Sequence, residues 1–291
     1  MKNSEKETEL ILNPDGSIYH LSLRPEHVAG TVILVGDPQR VEILSSQFSR
    51  VEHKVSNREF ITHTGEYKGM RVMVIGTGIG TDNIDIVMNE LDALVNVDLQ
   101  TRMPREEHTS LRIIRLGTTG LLQPDIPVDS VIASEWGLGL DALMHFYRLV
   151  PGVLDEELGR AVEQSIAWDP SLGRPYAVRA SDPLMEQLTE GMTRGITLTA
   201  PGFYGPQGRV LRLEPADPDL INRLSAFSYY GRRILNFEME TSALYGLGKL
   251  LGHEVLTLCV AIANRVTGEF SANYKETVRQ TARLLLDRLA G

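Results

Sequence analysis

The chain holds a single cysteine, Cys259, so no internal disulfide can form and a reducing compartment is the simpler assignment. Cys259 lies in the apolar run Leu256 to Ile262 and reads as a core residue. An excess of positive charge is also lacking. With 29 basic and 38 acidic side chains the formal net charge is −9, a field of the wrong sign for broad binding to nucleic acid or to an anionic membrane surface. Any anionic ligand would need local arginines. No window approaches the roughly 18 consecutive apolar residues of a membrane span, and the opening MKNSEKETEL has no apolar core of a leader. The expected location is the cytoplasm. Repeats, low-complexity tracts and clear linkers are missing too, as is any GxxxxGK[ST] phosphate loop. The glycine run Gly76-Thr77-Gly78-Ile79-Gly80 invites a dinucleotide reading, but the fingerprint needs a glycine where Thr81 stands, and Asp98 matches the ribose-binding acid only loosely. A tight turn that permits close packing is the expectation there.

What is present is an ordinary balance, 42% apolar and 23% charged over 291 residues, enough for one large α/β domain. Short β-branched runs alternate with amphipathic segments, the organisation of an α/β fold. Strands are expected at Thr31–Val35, Arg71–Gly76, Ile113–Gly117, Ser130–Ser134, Ile196–Ala200 and Leu256–Ile262, several of them apolar throughout and therefore buried on both faces. Helices are expected at Pro38–Phe48, Asn83–Val95 with Asp82 as N-cap, Leu154–Ser165, after Glu240, and Tyr274–Leu289. Residues 97–111 and 137–152 read as loops or excursions.

Several strand ends carry chemically specific residues. In Asn236–Gly248, NFEMETSALYGLG, Glu238 and Glu240 stand at the start of a helix heading into the core. In extended geometry both would enter one cavity while Met239 faces elsewhere; a capping acid beside a solvated one is the alternative. Gly36-Asp37-Pro38-Gln39-Arg40 follows the strand TVILV and can offer backbone N–H groups to an anion, with Arg40 in reach, or be a plain turn. In Arg115-Leu116-Gly117-Thr118-Thr119-Gly120 an arginine sits inside a buried-looking strand. Desolvating it unpaired costs several kcal/mol, so it must meet a carboxylate or a bound anion. Thr118 and Thr119 at the same mouth favour the anion. Phe203-Tyr204-Gly205-Pro206-Gln207-Gly208-Arg209 joins an aromatic face to a planar donor and acceptor set, as a heterocyclic base would require, with a surface loop as the other reading. Ala263-Asn264-Arg265 puts one more arginine outside the carboxyl end of a strand, where ligands of α/β sheets bind.

Taken together, Tyr19-His20-Leu21, GDPQR, SNREF, RLGTTG, FYGPQGR, NFEMET and ANRV follow one another in the order and at nearly the spacing of the nucleoside phosphorylase family, and most closely resemble its uridine phosphorylases. The resemblance covers most of the chain. It implies a single-domain α/β fold with a central mixed, partly barrel-like sheet flanked by helices, residues 1–18 as an N-terminal tail and 19–291 as the domain.

It also implies roles. Gly36, Arg40, Arg115 and Thr118 would hold phosphate, with Arg58 lent by a partner subunit. Met239 and Glu240 would cradle the ribose with Glu238 close by, and His20 of the neighbouring subunit would reach the 5′ hydroxyl. Phe203 would stack on uracil, Gln207 and Arg209 would read its edge, Ile262 would line the base pocket, and Arg265 would hold the base end through its hydrogen bonds. The implied reaction is phosphorolysis of uridine, with deoxyuridine as a further candidate, in pyrimidine nucleoside salvage. No cofactor is implied beyond phosphate as co-substrate. Glu59, Ile79 and Asn83 fall where some members bind a monovalent cation, but Asn83 replaces an expected serine. Purine-specific relatives carry an aspartate where Asn264 stands, which favours pyrimidines here. A purine or broad-specificity phosphorylase and a nucleosidase on the same fold are the alternatives. The implied assembly is a homodimer sharing active sites, with a hexamer of three dimers left open.

Overall fold

The run Thr31–Val35 is buried at every position, as a strand apolar in all but its first residue must be when both faces of its sheet are covered. A computed structural model describes residues 7–291 and builds the rest of the molecule outward from this strand. In chain order the elements are β1 (Thr31–Val35), α1 (Gln39–Ser45), β2 (Arg50–Asn57), β3 (Phe60–Tyr67), β4 (Met70–Gly76), α2 (Thr81–Asn96), β5 (Val97–Asp98), β6 (Met103–Pro104), β7 (Arg112–Leu121) and β8 (Val131–Gly139). They continue with α3 (Glu156–Ser165), β9 (Tyr176–Arg179), α4 (Asp182–Leu188), β10 (Thr193–Thr199), α5 (Leu220–Ala226), β11 (Ser228–Tyr229), β12 (Arg232–Glu238), α6 (Thr241–Leu251), β13 (Glu254–Asn264) and α7 (Tyr274–Ala290).

One mixed sheet runs β11-β12-β10-β8-β13-β7-β1-β4-β3-β2, with β9 paired to β8. Because β12 also pairs antiparallel with β7 at Asn236↔Leu121 and Phe237↔Gly120, strands β7, β12, β10, β8 and β13 close into a barrel. Buried hydroxyls and an amide fix that closure: Thr197 donates to Asn236 Oδ1 at 2.9 Å, and Asn236 donates to Thr119 Oγ1 at 2.8 Å. The closure carries Glu238, the last residue of β12, across to Arg115 on β7.

Helices cover the sheet as their apolar periods require. On α7 the buried positions Val278, Ala282, Leu285, Leu286 and Leu289 form one stripe. Each fully buried aliphatic side chain of this kind contributes about 1.5–3 kcal/mol relative to exposure. The six expected strands all form, within a few residues of their expected ends, and so do the five expected helices. Four details differ. The N-cap of α2 is Gly80 rather than Asp82, which lies in the first turn. The 97–111 excursion contains the β5–β6 ribbon, and residues 137–139 extend β8 before a short 3-10 turn at Leu143–Phe146. The N-terminal segment is tied to the body from Leu10 onward. Leu10 and Ile18 join the core, and Asn13 Nδ2 donates to Ser17 Oγ and the Ile18 carbonyl at 3.0 Å each.

Candidate active site

Parallel strands β1, β7 and β13 end together, and a cavity of about 710 Å³ opens at their carboxyl ends. Gly36, Arg40, Arg115, Thr118, Phe203, Gln207, Arg209, Glu238, Met239, Glu240 and Ile262 all line it, so residues scattered over more than 220 positions converge there. Glu59, Ile79 and Asn83 line it as well.

Arg115 is the pivot. Its side chain runs forward along β7 over Gly117, where a Cβ would overlap the guanidinium; residues two apart on a strand share a face, so glycine is needed at that position. Nη1 lies 3.0 Å from Glu238 Oε2 and Nη2 bonds Glu240 Oε2, with all three side chains buried. The partners of the buried arginine are therefore protein carboxylates, and Arg115 also lines the cavity. Burial alone would lower its pKa; Glu240 and Glu238 outweigh that and raise it above the usual arginine value.

The two acids differ in what they can still accept. A carboxylate has about four lone-pair sites. Glu238 takes hydrogen bonds from Thr199 Oγ1 and from the Glu240 and Thr241 backbone N–H groups, and the ion pair with Arg115 occupies what remains. Glu238 was expected close to the sugar among the ribose ligands; the structure commits its carboxylate to starting α6 and orienting Arg115. Burial, with Glu240 adding to it against the pull of Arg115, pushes the Glu238 carboxyl up to about 7. Glu240 accepts from Gly80 N–H at 2.9 Å on Oε1, and on Oε2 from Met239 N–H and Arg115. Its Oε1 keeps acceptor capacity for a ligand hydroxyl.

Beside this triad Arg40 Nη2 donates to Thr118 Oγ1 at 3.3 Å, and Gly36 stands close to Gly78 and Arg115, so two guanidiniums, a hydroxyl and bare backbone gather at one end. Burial and the neighbouring Arg115 lower the Arg40 pKa. At another end Arg209 lies 3.7 Å from the Phe203 ring centroid and donates to the Phe203 carbonyl and to Gln207 Oε1. Burial, then Arg265, bring the Arg209 pKa down to about 10. Arg265 is not among the residues lining the cavity; it donates to the Gln207 carbonyl at 3.2 Å and sits 5.5 Å from the Phe237 ring, behind the Gln207–Arg209 end. Asn264 is turned into the protein. Its amide donates to the Gln123 and Ile126 carbonyls and its oxygen accepts from Val266 and Thr267.

His20 and Arg58 lie outside their own chain's cavity. Arg58, at the β2–β3 turn with φ +52°, donates to Tyr19 Oη at 3.0 Å, and His20 Nδ1 is 2.7 Å from Glu90 Oε1. Asn57 joins the two by donating to the His20 carbonyl at 2.8 Å. In the set Glu59, Ile79 and Asn83, Asn83 Nδ2 points at the Ile79 carbonyl at 3.5 Å, so a donor occupies the position expected to carry a serine oxygen. Away from the cavity, Asp92, His108 and His253 cluster. His253 Nδ1 accepts from Leu111 N–H, and its buried Nε2 lies 3.3 Å from Asp92 Oδ1 without forming a hydrogen bond. Phe237 and Thr199 were not singled out in the sequence, and Gly117 and Gly80 were read only as members of their motifs, although the i, i+2 relation of Arg115 and Gly117 could have shown the role of one of them.

The profile of the phosphorylase superfamily matches residues 31–290. The chain belongs to the phosphorylase superfamily. A uridine phosphorylase of Thermococcus kodakarensis is 32% identical over 264 residues, covering 88% of this chain and 80% of that protein. A purine nucleoside phosphorylase of Thermoanaerobacter sp. is 28% identical over 252 residues, covering 86% and 89%. Among superfamily structures, that of a Trypanosoma brucei nucleoside phosphorylase showing uridine phosphorylase activity superposes with a TM-score of 0.86 at 26% identity, covering 96% of this chain and 99% of that one. A uridine phosphorylase structure from Phytophthora capsici shares the superfamily fold at a TM-score of 0.70 and 22% identity. No helix of the described residues is long and apolar enough to cross a membrane.

Proposed function

We propose that the chain is a pentosyltransferase that cleaves uridine, with deoxyuridine as a further candidate, by phosphorolysis to uracil and the (deoxy)ribose 1-phosphate, acting in pyrimidine nucleoside salvage. The observation that carries this reading is the convergence in one cavity of an arginine and hydroxyl cluster, a carboxylate with free acceptor capacity, and an aromatic, amide and guanidinium set. Arg40, Arg115, Thr118 and Gly36 hold phosphate. Glu240 accepts from the ribose hydroxyls and Met239 packs on the sugar. Phe203 stacks on uracil while Gln207 and Arg209 read its edge.

The reaction needs no covalent enzyme intermediate. Phosphate attacks C1′, the C1′–N1 bond breaks, and its electron pair leaves with the uracil ring. The bound geometry replaces an encounter of two solutes, and Arg209 stabilises negative charge that develops on the base only as the bond breaks, which favours the transition state over the substrate. Phosphate serves as co-substrate and the reading calls for no organic cofactor or metal.

The test is uracil release followed by ultraviolet absorbance, with and without phosphate, and with inosine in parallel. Phosphate-dependent cleavage of uridine supports the reading. Cleavage without phosphate would make the chain a nucleosidase, and preference for inosine would place it with its purine-cleaving relatives. The active unit in this proposal is a homodimer, because His20 and Arg58 lie outside their own cavity and would complete a partner's. Sedimentation with parallel assay checks it; a fully active monomer overturns it.

A further inference from the structure

The glycine run Gly76 to Gly80 has no role as a dinucleotide turn, yet its last member touches the proposed sugar site. Gly80 is the N-cap of α2, and its N–H donates to Glu240 Oε1 at 2.9 Å across 160 positions of sequence. Glu240 is in turn the N-cap of α6. The carboxylate therefore stands where two helix N-termini meet, a place that favours a negative charge and fixes its direction. Its other oxygen is held by Met239 N–H and Arg115.

Gly80 reaches this position through φ +103° and ψ 160°, a region essentially confined to glycine. A Cβ there would also stand 2.5 Å from Asp82 Oδ1. Asp82 could swing away, whereas the backbone angles could not be kept. Any side chain at position 80 thus re-aims the N–H.

We propose that Gly80 is a positioning residue whose backbone N–H aims the Glu240 carboxylate at the hydroxyls of the sugar. The proposal rests on the nucleoside reading of the cavity. Glu240 needs an external hold because Arg115, its other strong partner, is shared with Glu238 and faces the anion end; the Gly80 hydrogen bond keeps Oε1 in place while Arg115 serves phosphate.

The experiment is a double-mutant cycle of Gly80→Ala and Glu240→Gln, assayed with uridine and phosphate varied separately. Losing one charge-assisted hydrogen bond corresponds to roughly 10- to 100-fold. Gly80→Ala is expected to lower kcat/KM for uridine by about that factor, to leave the KM for phosphate within about 2-fold, and to add little once Glu240 is already Gln. Equal effects on both substrates, or full multiplication of the two single losses, would overturn the proposal and leave Gly80 a purely structural glycine. Amide exchange gives a readout independent of turnover and of the folding of the Gly80 variant. In Glu240→Ala, exchange of the Gly80 amide should rise while the rest of α2 is unchanged; unchanged Gly80 exchange would also overturn the proposal. If the unmodified chain does not cleave uridine, the nucleoside reading fails, and the exchange result still decides whether Gly80 holds Glu240.

Discussion

Replacing Arg115 with methionine tests the centre of the site. The guanidinium is buried and spans Glu238 and Glu240, themselves buried, so its removal leaves two carboxylates in a low-dielectric setting with their main cation gone. Removing one partner of a buried ion pair costs about 3–5 kcal/mol. The backbone N–H donors to both acids survive, and protonation of Glu238, already raised to about 7, limits the damage, so the lower half of that range applies at neutral pH and the upper half above pH 8. At about 2–3 °C per kcal/mol for a chain of this length, the midpoint of thermal unfolding should fall by roughly 6–15 °C, more at pH 8.5 than at pH 6.5. Calorimetry at fixed protein concentration and scan rate measures it. Combining Arg115→Met with Glu238→Gln neutralises one stranded acid and should recover about 1–2 kcal/mol. An Arg115→Met protein within 2 °C of the unmodified one, or a double variant less stable than Arg115→Met alone, would refute the reasoning.

The Cys259 thiol is fully buried and pushed up to about 12 by that burial, so the native protein should resist a thiol reagent such as DTNB at pH 8 and release one equivalent on unfolding; rapid reaction of the native protein would refute this. Because the Glu238 carboxyl is raised from 4.5 to about 7 in the folded state, the folded chain holds a proton that the unfolded one has released. Its contribution to stability is complete below about pH 4.5 and is lost as pH rises through 7. Glu238→Gln should therefore flatten the decline of the unfolding midpoint between pH 5 and 8, and an unchanged slope would count against it. Arg209→Met removes the guanidinium beside Phe203 and Gln207; kcat/KM for uridine should fall by about 100-fold or more with the KM for phosphate nearly unchanged, and equal losses for both substrates would move Arg209 out of the base end.

The sequence determined those parts of the protein whose signals are local. Short, almost wholly apolar β-branched runs such as TVILV read as buried strands, and the stripe on α7 can only cover a core, so the main strands and helices were legible. The need of Arg115 for a partner was legible too, because the cost of an unpaired buried guanidinium does not depend on the fold. Other elements carried no such signal. Strand β2 is polar and half exposed along its length, and it is a strand only because β3 offers hydrogen bonds. Tertiary structure alone decided which acids Arg115 meets, and by how much each is used up: pairing of β12 with β7 closes the barrel and delivers Glu238 and Glu240 together, while Thr199, two backbone N–H groups and the Arg115 ion pair occupy Glu238 and leave Glu240 Oε1 open. It alone decided that Gly80 reaches Glu240, since a hydrogen bond across 160 residues leaves no periodicity in the chain. Side-chain chemistry is written locally, but the occupancy of each lone pair depends on what the fold brings beside it.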